Sequence, residues 1–220
     1  MTQKVDTLFI NAIVLTMDEK LNQYDPGAVA VKGDSIVAVG SEEEIKKEYS
    51  ANEVIDCNKK VLMPGLINAH THVPMTLLRG LADDLRLDVW LMGYMLPVER
   101  EFVKPDFVRL GTAIACAEQI RSGVTTFNDM YYFEDDVAQA TADAGMRAVC
   151  GQTVIRFPVP DANAYEDSLE MARTFIQKWK GHELIVPAVA PHAPYSTTPE
   201  ILKACAELAK EFDVPLHIHI

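Results

Sequence analysis

Residues 61–72 form an apolar run that ends in two histidines, His70 and His72, with one residue between them. Successive side chains of a strand point to opposite faces, so these two imidazoles leave the strand on the same side. Two neighbouring imidazoles at the exit of a buried strand can supply two ligands to a metal ion from one rigid element. A second pair with the same spacing, His217 and His219, lies close to residue 220. We therefore expect a metal site at the ends of buried strands.

From residue 61 onward, apolar strand candidates alternate with amphipathic helix candidates. The strands are expected at 61–72, 124–129, 147–155, 184–190 and 214–220. The helices are expected to begin near Pro105, Glu134, Tyr165 and Thr198. Apolar strands joined by helices are typical of a parallel sheet covered on both faces. We predict an α/β fold, a (βα)8 TIM barrel of which about five strands are present. A doubly wound sheet is the alternative, but no glycine-rich phosphate loop follows the first strand.

Residues 1–60 have the pattern of β structure. Short apolar runs flank residues 32–35, whose sequence Lys-Gly-Asp-Ser is typical of a hairpin turn. Residues 41–47 are polar and predict a short helix. This part of the chain is too small and too rich in strands to bury a core well by itself. We predict a small β domain over residues 1–60 and an incomplete barrel over residues 61–220.

Composition limits the classes of function. Hydrophobic residues make up 49% of the 220 residues, which is enough for a buried core. The formal net charge of −12 argues against nucleic acid or an anionic membrane surface as a partner. The four cysteines are scattered without a C-x-x-C pair, and the first residues lack an apolar targeting segment. We expect reduced thiols and a cytoplasmic protein.

Five of the six histidines lie at predicted strand ends, and His182 is the exception, in a loop. The carboxyl ends of barrel strands converge on one mouth, where active sites are built. His219 lies nearer the strand end than His217 and is the better candidate for a metal ligand. His217 is expected to be a satisfied histidine of the core or a support for the ligands.

His192 follows the fourth predicted strand of the barrel and has Pro191 and Pro194 on either side. Prolines restrict the backbone, as expected where a side chain must be aimed at a substrate. The alternative is a loop histidine held by a backbone carbonyl. No lysine at the end of this strand could bridge two metal ions as a carbamate, so a single ion is the simpler expectation.

These motifs together resemble a known family. The resemblance rests on Pro64-Gly-Leu-Ile-Asn-Ala-His-Thr-His72 and on the segments 74–85, 123–130, 190–195 and 215–219. The chain resembles the amidohydrolase superfamily and, within it, is most similar to the 5′-methylthioadenosine/S-adenosylhomocysteine deaminases. The resemblance covers the whole chain and implies a small β-sandwich beside a (βα)8 barrel. It also implies one divalent metal ion, with zinc as the expected ion, bound by His70, His72 and His219.

The resemblance further implies roles for four residues that would contact a nucleoside substrate. His192 would hydrogen-bond the purine and take part in catalysis. Trp90 and Glu99 would lie over the nucleoside, with Glu99 accepting the ribose hydroxyls. Some relatives bind the homocysteine carboxylate through an arginine of the third-strand loop, and Arg156 is the candidate here.

The implied activity is hydrolytic deamination of an adenine nucleoside to the inosine product, with release of ammonia. The family pattern continues after the fifth-strand histidine with a glutamate, a sixth-strand histidine and an eighth-strand aspartate, which this sequence does not reach. We therefore expect a truncated form that is inactive alone and is completed by the C-terminal half or forms a homo-oligomer. The alternatives are a chlorohydrolase or other aminohydrolase of the same subgroup, and a non-catalytic half-barrel that serves as an assembly or binding module.

Overall fold

The computed structural model of the chain describes residues 2–220. It contains two compact units, Met1–Gly65 and Leu66–Ile220. Strands and helices are both present, which confirms the mixed α/β class predicted from the sequence.

The first unit is built on one sheet. Its strands are β1 (Gln3–Leu15), β2 (Gln23–Lys32), β3 (Ser35–Ser41), β4 (Tyr49–Asp56) and β5 (Val61–Leu62), and its helix is α1 (Glu42–Glu48). The strand order is β3-β2-β1-β4, and β5 also pairs with β1. Its core contains Val5, Leu8 and Ile45. The predicted hairpin turn forms between β2 and β3, with Gly33 at a φ of 61°. Because residues 2–65 show a single sheet with a helix, the β-sandwich stays a prediction.

The second unit is a parallel sheet in the order β6-β7-β8-β9. Its strands are β6 (Leu66–Thr71), β7 (Val124–Tyr131), β8 (Arg147–Val154) and β9 (Ile185–Pro191). The α-helices are α2 (Leu96–Phe102), α3 (Pro105–Arg121), α4 (Glu134–Asp143), α5 (Tyr165–Trp179) and α6 (Pro199–Phe212). Val73–Leu78 and Pro194–Ser196 are 3₁₀ turns, and Val89–Met95 is a π-helical segment.

The predicted helices of this unit form where the sequence placed them. Pro105 opens α3, because proline lacks an N–H and its φ is already helical. Gly123 and Gly145 follow α3 and α4 at φ angles of 79° and 72°, which glycine adopts without strain. Thr198 caps α6 by accepting a hydrogen bond from the amide of Ile201. Local signals therefore define the helix ends.

Two strand predictions are corrected by the structure. Residues 61–72 form two strands and not one: β5 pairs with β1 of the first unit, and β6 begins after Pro64 and Gly65. Residues 214–220 form only a single bridge, between Leu216 and Val189, so the barrel sheet has four regular strands where about five were expected. Pro215 lacks an amide proton, which removes one donor from a possible ladder.

The main core of the second unit lies between the sheet and the helices. Phe127, Cys116 and Cys150 are among its fully buried members. All four cysteines are free thiols, as the sequence predicts. Among residues 2–220, no helix combines the length and the apolar character that crossing a membrane requires. The cytoplasmic location stays a prediction.

Candidate metal centre and active site

The three predicted metal ligands converge at one point. The Nε2 atom of His70 lies 3.4 Å from Nε2 of His72 and 3.1 Å from Nε2 of His219. Possible ligand atoms of the three residues all lie within 4.8 Å of one another. Three imidazole nitrogens facing one point are a ligand set found in catalytic zinc sites, where a fourth position stays open.

The convergence of these histidines also shows that the sheet is curved. His70 belongs to β6 at one edge, whereas His219 follows the segment that bridges β9 at the other edge. Their rings are nevertheless only 4.9 Å apart, centroid to centroid. His70 lies on the first strand and His219 on the segment beyond the fourth, so a flat sheet would hold them four strand spacings apart, about 19 Å. The sheet is therefore strongly curved, as the wall of a barrel is. Closure into eight strands stays a prediction.

Backbone carbonyls orient two of the three rings. Nδ1 of His72 lies 2.5 Å from the carbonyl oxygen of Met130, and Nδ1 of His219 lies 2.8 Å from that of His192. A carbonyl accepts only, so each Nδ1 carries the proton and donates it. The lone pair is then on Nε2, which faces the other histidines. Metal-binding histidines in proteins are held in this way.

The environment keeps two site histidines neutral. Burial lowers the pKa of His72 to about 4, with a smaller contribution from the neighbouring histidines, although the bond to Met130 opposes the shift. Burial, with smaller contributions from His219 and His72, lowers the pKa of His192 to about 4. A neutral imidazole has a free lone pair at pH 7, which a metal ligand or a hydrogen-bond acceptor requires.

A serine, and not a backbone carbonyl, fixes the ring of His192. Its Nδ1 lies 2.7 Å from Oγ of Ser196, and this hydroxyl lies 3.2 Å from the carbonyl oxygen of Ala193. The hydroxyl donates its proton to that carbonyl, so Nδ1 of His192 donates to Oγ. The backbone of His192 is also fixed, because its amide donates to the carbonyl of Val154 across the sheet. Nε2 is left as the free acceptor of this ring.

All seven residues predicted for the site line one cavity of about 500 Å³. They are His70, His72, Trp90, Glu99, Arg156, His192 and His219. The remaining wall is mostly apolar and includes Met75, Met95 and Ile155. A largely apolar cleft with a few convergent polar groups is typical of a small-molecule site. The individual roles of the seven residues stay predictions.

Glu99 of α2 is a buried carboxylate, with only 4% of its surface exposed. Oη of Tyr131 donates a hydrogen bond to it over 2.9 Å. Burial raises the pKa of Glu99 to about 7, although hydrogen bonds from Tyr131 and Tyr132 act in the opposite direction. The sequence patterns did not single out either tyrosine. Tyr131 is the last residue of β7 and Tyr132 follows it, and such strand ends face the mouth of a barrel, but no local signal pairs them with Glu99.

His217 is not satisfied in the way we expected. Neither of its ring nitrogens, both buried, has a hydrogen-bond partner among residues 2–220. The ring lies against Gly151 of β8, where an added Cβ would approach Cε1 of His217 to 2.5 Å. His217 also lines a smaller cavity of about 250 Å³, together with Asn128 and Met130 of β7. Glycine at 151 is therefore needed for this ring to fit.

Arg156 and His182 are both exposed, and His182, which was predicted to lie in a loop without a role, does not line the cavity. Arg156 is exposed and reaches the cavity from the segment after β8. His182 accepts hydrogen bonds from the amides of Leu184 and Ile185 at Nδ1, over 3.2 and 3.3 Å. It therefore supports the turn that leads into β9.

A curved parallel sheet with histidines converging at the carboxyl ends of its strands is typical of β/α-barrel proteins that hold a catalytic metal. The chain belongs to the amidohydrolase family, whose sequence pattern matches residues 61–220. This confirms the resemblance found in the sequence motifs.

Curated relatives and solved structures agree with this assignment. A 5-methylthioadenosine/S-adenosylhomocysteine deaminase from Syntrophobacter fumaroxidans is 46% identical over 219 residues, which are 100% of this chain and 50% of the relative. The crystal structure of an adenosine deaminase from Xanthomonas campestris with bound zinc superposes with a TM-score of 0.95 at 37% identity, covering 100% of this chain and 50% of that one. The chain thus spans about half the length of the relatives that it matches.

A more distant structure shares the fold alone. An atrazine chlorohydrolase from Arthrobacter aurescens, complexed with zinc, gives a TM-score of 0.86 at 21% identity, over 97% of this chain and 52% of that one.

Proposed function

We propose that this chain forms one half of a metal-dependent deaminase that converts 5′-methylthioadenosine or S-adenosylhomocysteine to the inosine product and ammonia. The convergence of His70, His72 and His219 at the wall of a 500 Å³ cavity carries this proposal. The curated relatives, which carry the name of this deaminase, supply the substrate class.

The residues present fit a single divalent ion, and we propose zinc. The three ligand atoms are nitrogens, and carbonyls hold two of the rings with Nε2 facing inward. Among the described residues, no lysine lines the cavity that could bridge a second ion as a carbamate. When bound, zinc would supply Lewis acidity and would lower the pKa of a coordinated water to about 7, which makes a nucleophile available at neutral pH.

The cavity walls support a nucleoside. Trp90 offers an aromatic face for stacking, and His192 presents its free Nε2 as an acceptor for an N–H group of the purine. The carboxylate of Glu99, which lines the same cavity, would accept the two ribose hydroxyls. Exposed Arg156 would bind the carboxylate of a homocysteine side chain.

The exposed edges of the curved sheet support completion by further strands. Leu66 and Ile67 of β6 are 51% and 72% exposed, and Leu216 at the other edge is 39% exposed. Unpaired edges with apolar side chains are places where further strands add. We propose that the remaining half of the family's length fills this opening and brings the groups that transfer protons during hydrolysis.

The proposed activity is tested by identifying the product. A chain that carries the remaining half is incubated with S-adenosylhomocysteine, 5′-methylthioadenosine and a chlorotriazine, and products are followed by mass spectrometry together with ammonia release. We expect an inosine-type product and one ammonia from the nucleosides. Release of chloride from the triazine without any nucleoside turnover would favour the chlorohydrolase. A protein that binds neither metal nor nucleoside would favour the non-catalytic module.

The raised pKa of Glu99 predicts how nucleoside binding depends on pH. Glu99 accepts two hydroxyl bonds only as a carboxylate, and its pKa is about 7. We expect KM to be constant at high pH and to rise as the pH falls below about 7. Well below this pH, KM should rise about tenfold for each pH unit. Glu99→Gln should raise KM about 10–100-fold, because hydrogen bonds to charged groups contribute about 1.5–3 kcal/mol. It should also remove the pH dependence of KM, because glutamine does not titrate.

The matched control is Glu101→Gln, since Glu101 belongs to the same helix but is exposed. This variant should keep the KM of the wild type and its pH profile. A Glu99→Gln enzyme with an unchanged KM at pH 8 would show that Glu99 does not contact the ribose.

A further inference from the structure

Strand β7 contacts the segment that contains the first histidine pair at several points. Asn128 donates from Nδ2 to the carbonyl of Ala69 over 3.2 Å. The carbonyl of Met130 accepts from the ring of His72. Between these two residues lies Asp129, whose side chain points to the other face of the sheet.

Asp129 holds the residues that lie between and after the two histidines. Its Oδ1 atom accepts from the amide nitrogen of Val73 over 2.7 Å and lies 2.6 Å from Oγ1 of Thr71. The Thr71 hydroxyl also lies 2.9 Å from the carbonyl oxygen of Asn128, so its one proton is shared between two acceptors, of which Asp129 is the nearer. Thr71 lies between His70 and His72, so the alternation of side chains turns it away from them and toward Asp129. A single carboxylate oxygen thereby fixes the chain on both sides of His72.

Burying Asp129 lowers the stability of the fold, which argues against a purely structural role. It is completely buried, and its second oxygen, Oδ2, has no hydrogen-bond partner in the part of the chain that the structure describes. A buried polar atom without a partner typically costs about 1–3 kcal/mol. An apolar residue at this position, next to the main core, would avoid that cost.

We propose that Asp129 is a positioning residue for the metal centre. It fixes the backbone of residues 71–73 through Thr71 and Val73, and this sets the direction in which His70 and His72 present Nε2. The carbonyl of Met130, the next residue of the same strand, then fixes the rotation of the His72 ring. This inference rests on the proposed function, because it assumes that the three histidines bind a metal ion.

The test compares metal affinities, measured by competition with a chelator, and the visible spectrum of the cobalt-loaded protein. Asp129→Leu should weaken zinc binding about tenfold or more, as loss of supporting groups around metal ligands does. It should also change the cobalt spectrum, because the nitrogens no longer hold their geometry. Asp129→Asn keeps an oxygen that can accept from Thr71 and Val73, so we expect it to retain nearly the affinity of the wild type.

A matched control separates positioning from loss of stability. Phe127 lies on the same strand two residues earlier, on the same face, and is fully buried. Phe127→Leu should lower the melting temperature but leave zinc affinity and the cobalt spectrum unchanged. Thr71→Val serves as a milder variant in case Asp129→Leu does not fold, and it should weaken zinc binding by a smaller factor.

The outcomes distinguish this inference from the proposed function. Zinc affinity that is equal in the wild type, Asp129→Leu and Thr71→Val would overturn the role of Asp129 while leaving the metal site intact. Equal weakening by Phe127→Leu would also overturn it, because the effect would then follow stability alone. A wild-type protein that binds no metal at all would overturn the proposed function, and this inference with it.

Discussion

Replacing His70 by alanine is expected to lower zinc affinity about 10²–10³-fold. His70 is central to the site, because its Nε2 lies within 3.4 Å of Nε2 of both His72 and His219. Structural zinc sites with four ligands bind with about 10–16 kcal/mol, which corresponds to about 2.5–4 kcal/mol for each ligand. The remaining two histidines would hold an ion weakly. Titration of the apoprotein with zinc in the presence of a competing chelator measures this loss.

His182 supplies the matched control, since it is a histidine outside the cavity whose ring accepts two backbone amides. His182→Ala should keep the zinc affinity of the wild type, although it can lower stability. If His70→Ala bound zinc as tightly as His182→Ala does, the assignment of the three histidines as the metal centre would be wrong.

Replacing Gly151 by alanine is the second change with a large expected effect. A Cβ at this position would lie 2.5 Å from Cε1 of His217 and 2.7 Å from Cβ of Ala190, far inside normal contact distance. Such overpacking typically costs about 1–3 kcal/mol. The displaced ring would also move the segment that contains His219, so zinc affinity should fall together with the melting temperature. Thermal unfolding and zinc titration measure the two effects.

Two further variants check this explanation. An added Cβ at Gly93 meets no atom within 4 Å, so Gly93→Ala should leave stability and zinc affinity unchanged or slightly improved. In the double variant Gly151→Ala, His217→Ala, the smaller side chain at 217 should relieve the clash with that ring and restore part of the loss. Equal melting temperatures and zinc affinities for Gly151→Ala and the wild type would show that β8 accommodates the methyl group.

The helices and the histidine pairs could be predicted because their signals are local. Gly123 and Gly145 end helices through a backbone conformation that depends on the residue itself. His70 and His72 share a face because alternation in a strand is a property of the backbone. The convergence of His70 with His219 could be predicted only by assuming a barrel, because it depends on how far the sheet curves.

Other features depend on tertiary contacts that no local pattern shows. Asp129 and Tyr131 belong to an apolar strand, and their partners, Thr71 and Glu99, are 58 and 32 residues away in sequence. The unpartnered ring of His217 also could not be predicted, since its burial depends on the absence of a side chain at Gly151. Residues 61–72 looked like one strand because they form an almost continuous apolar run. In the structure, Pro64 and Gly65 divide this run into two strands.

We propose that His70, His72 and His219 hold one metal ion that is required for nucleoside deamination. The most direct test removes the metal from a chain that carries the remaining half of the family's length, and then restores zinc in steps while metal content and inosine-type product are measured together. We predict that deamination of S-adenosylhomocysteine rises in proportion to occupancy and reaches its maximum at one ion per chain. Full deamination by protein that contains no metal would show that the three histidines do not hold a catalytic ion.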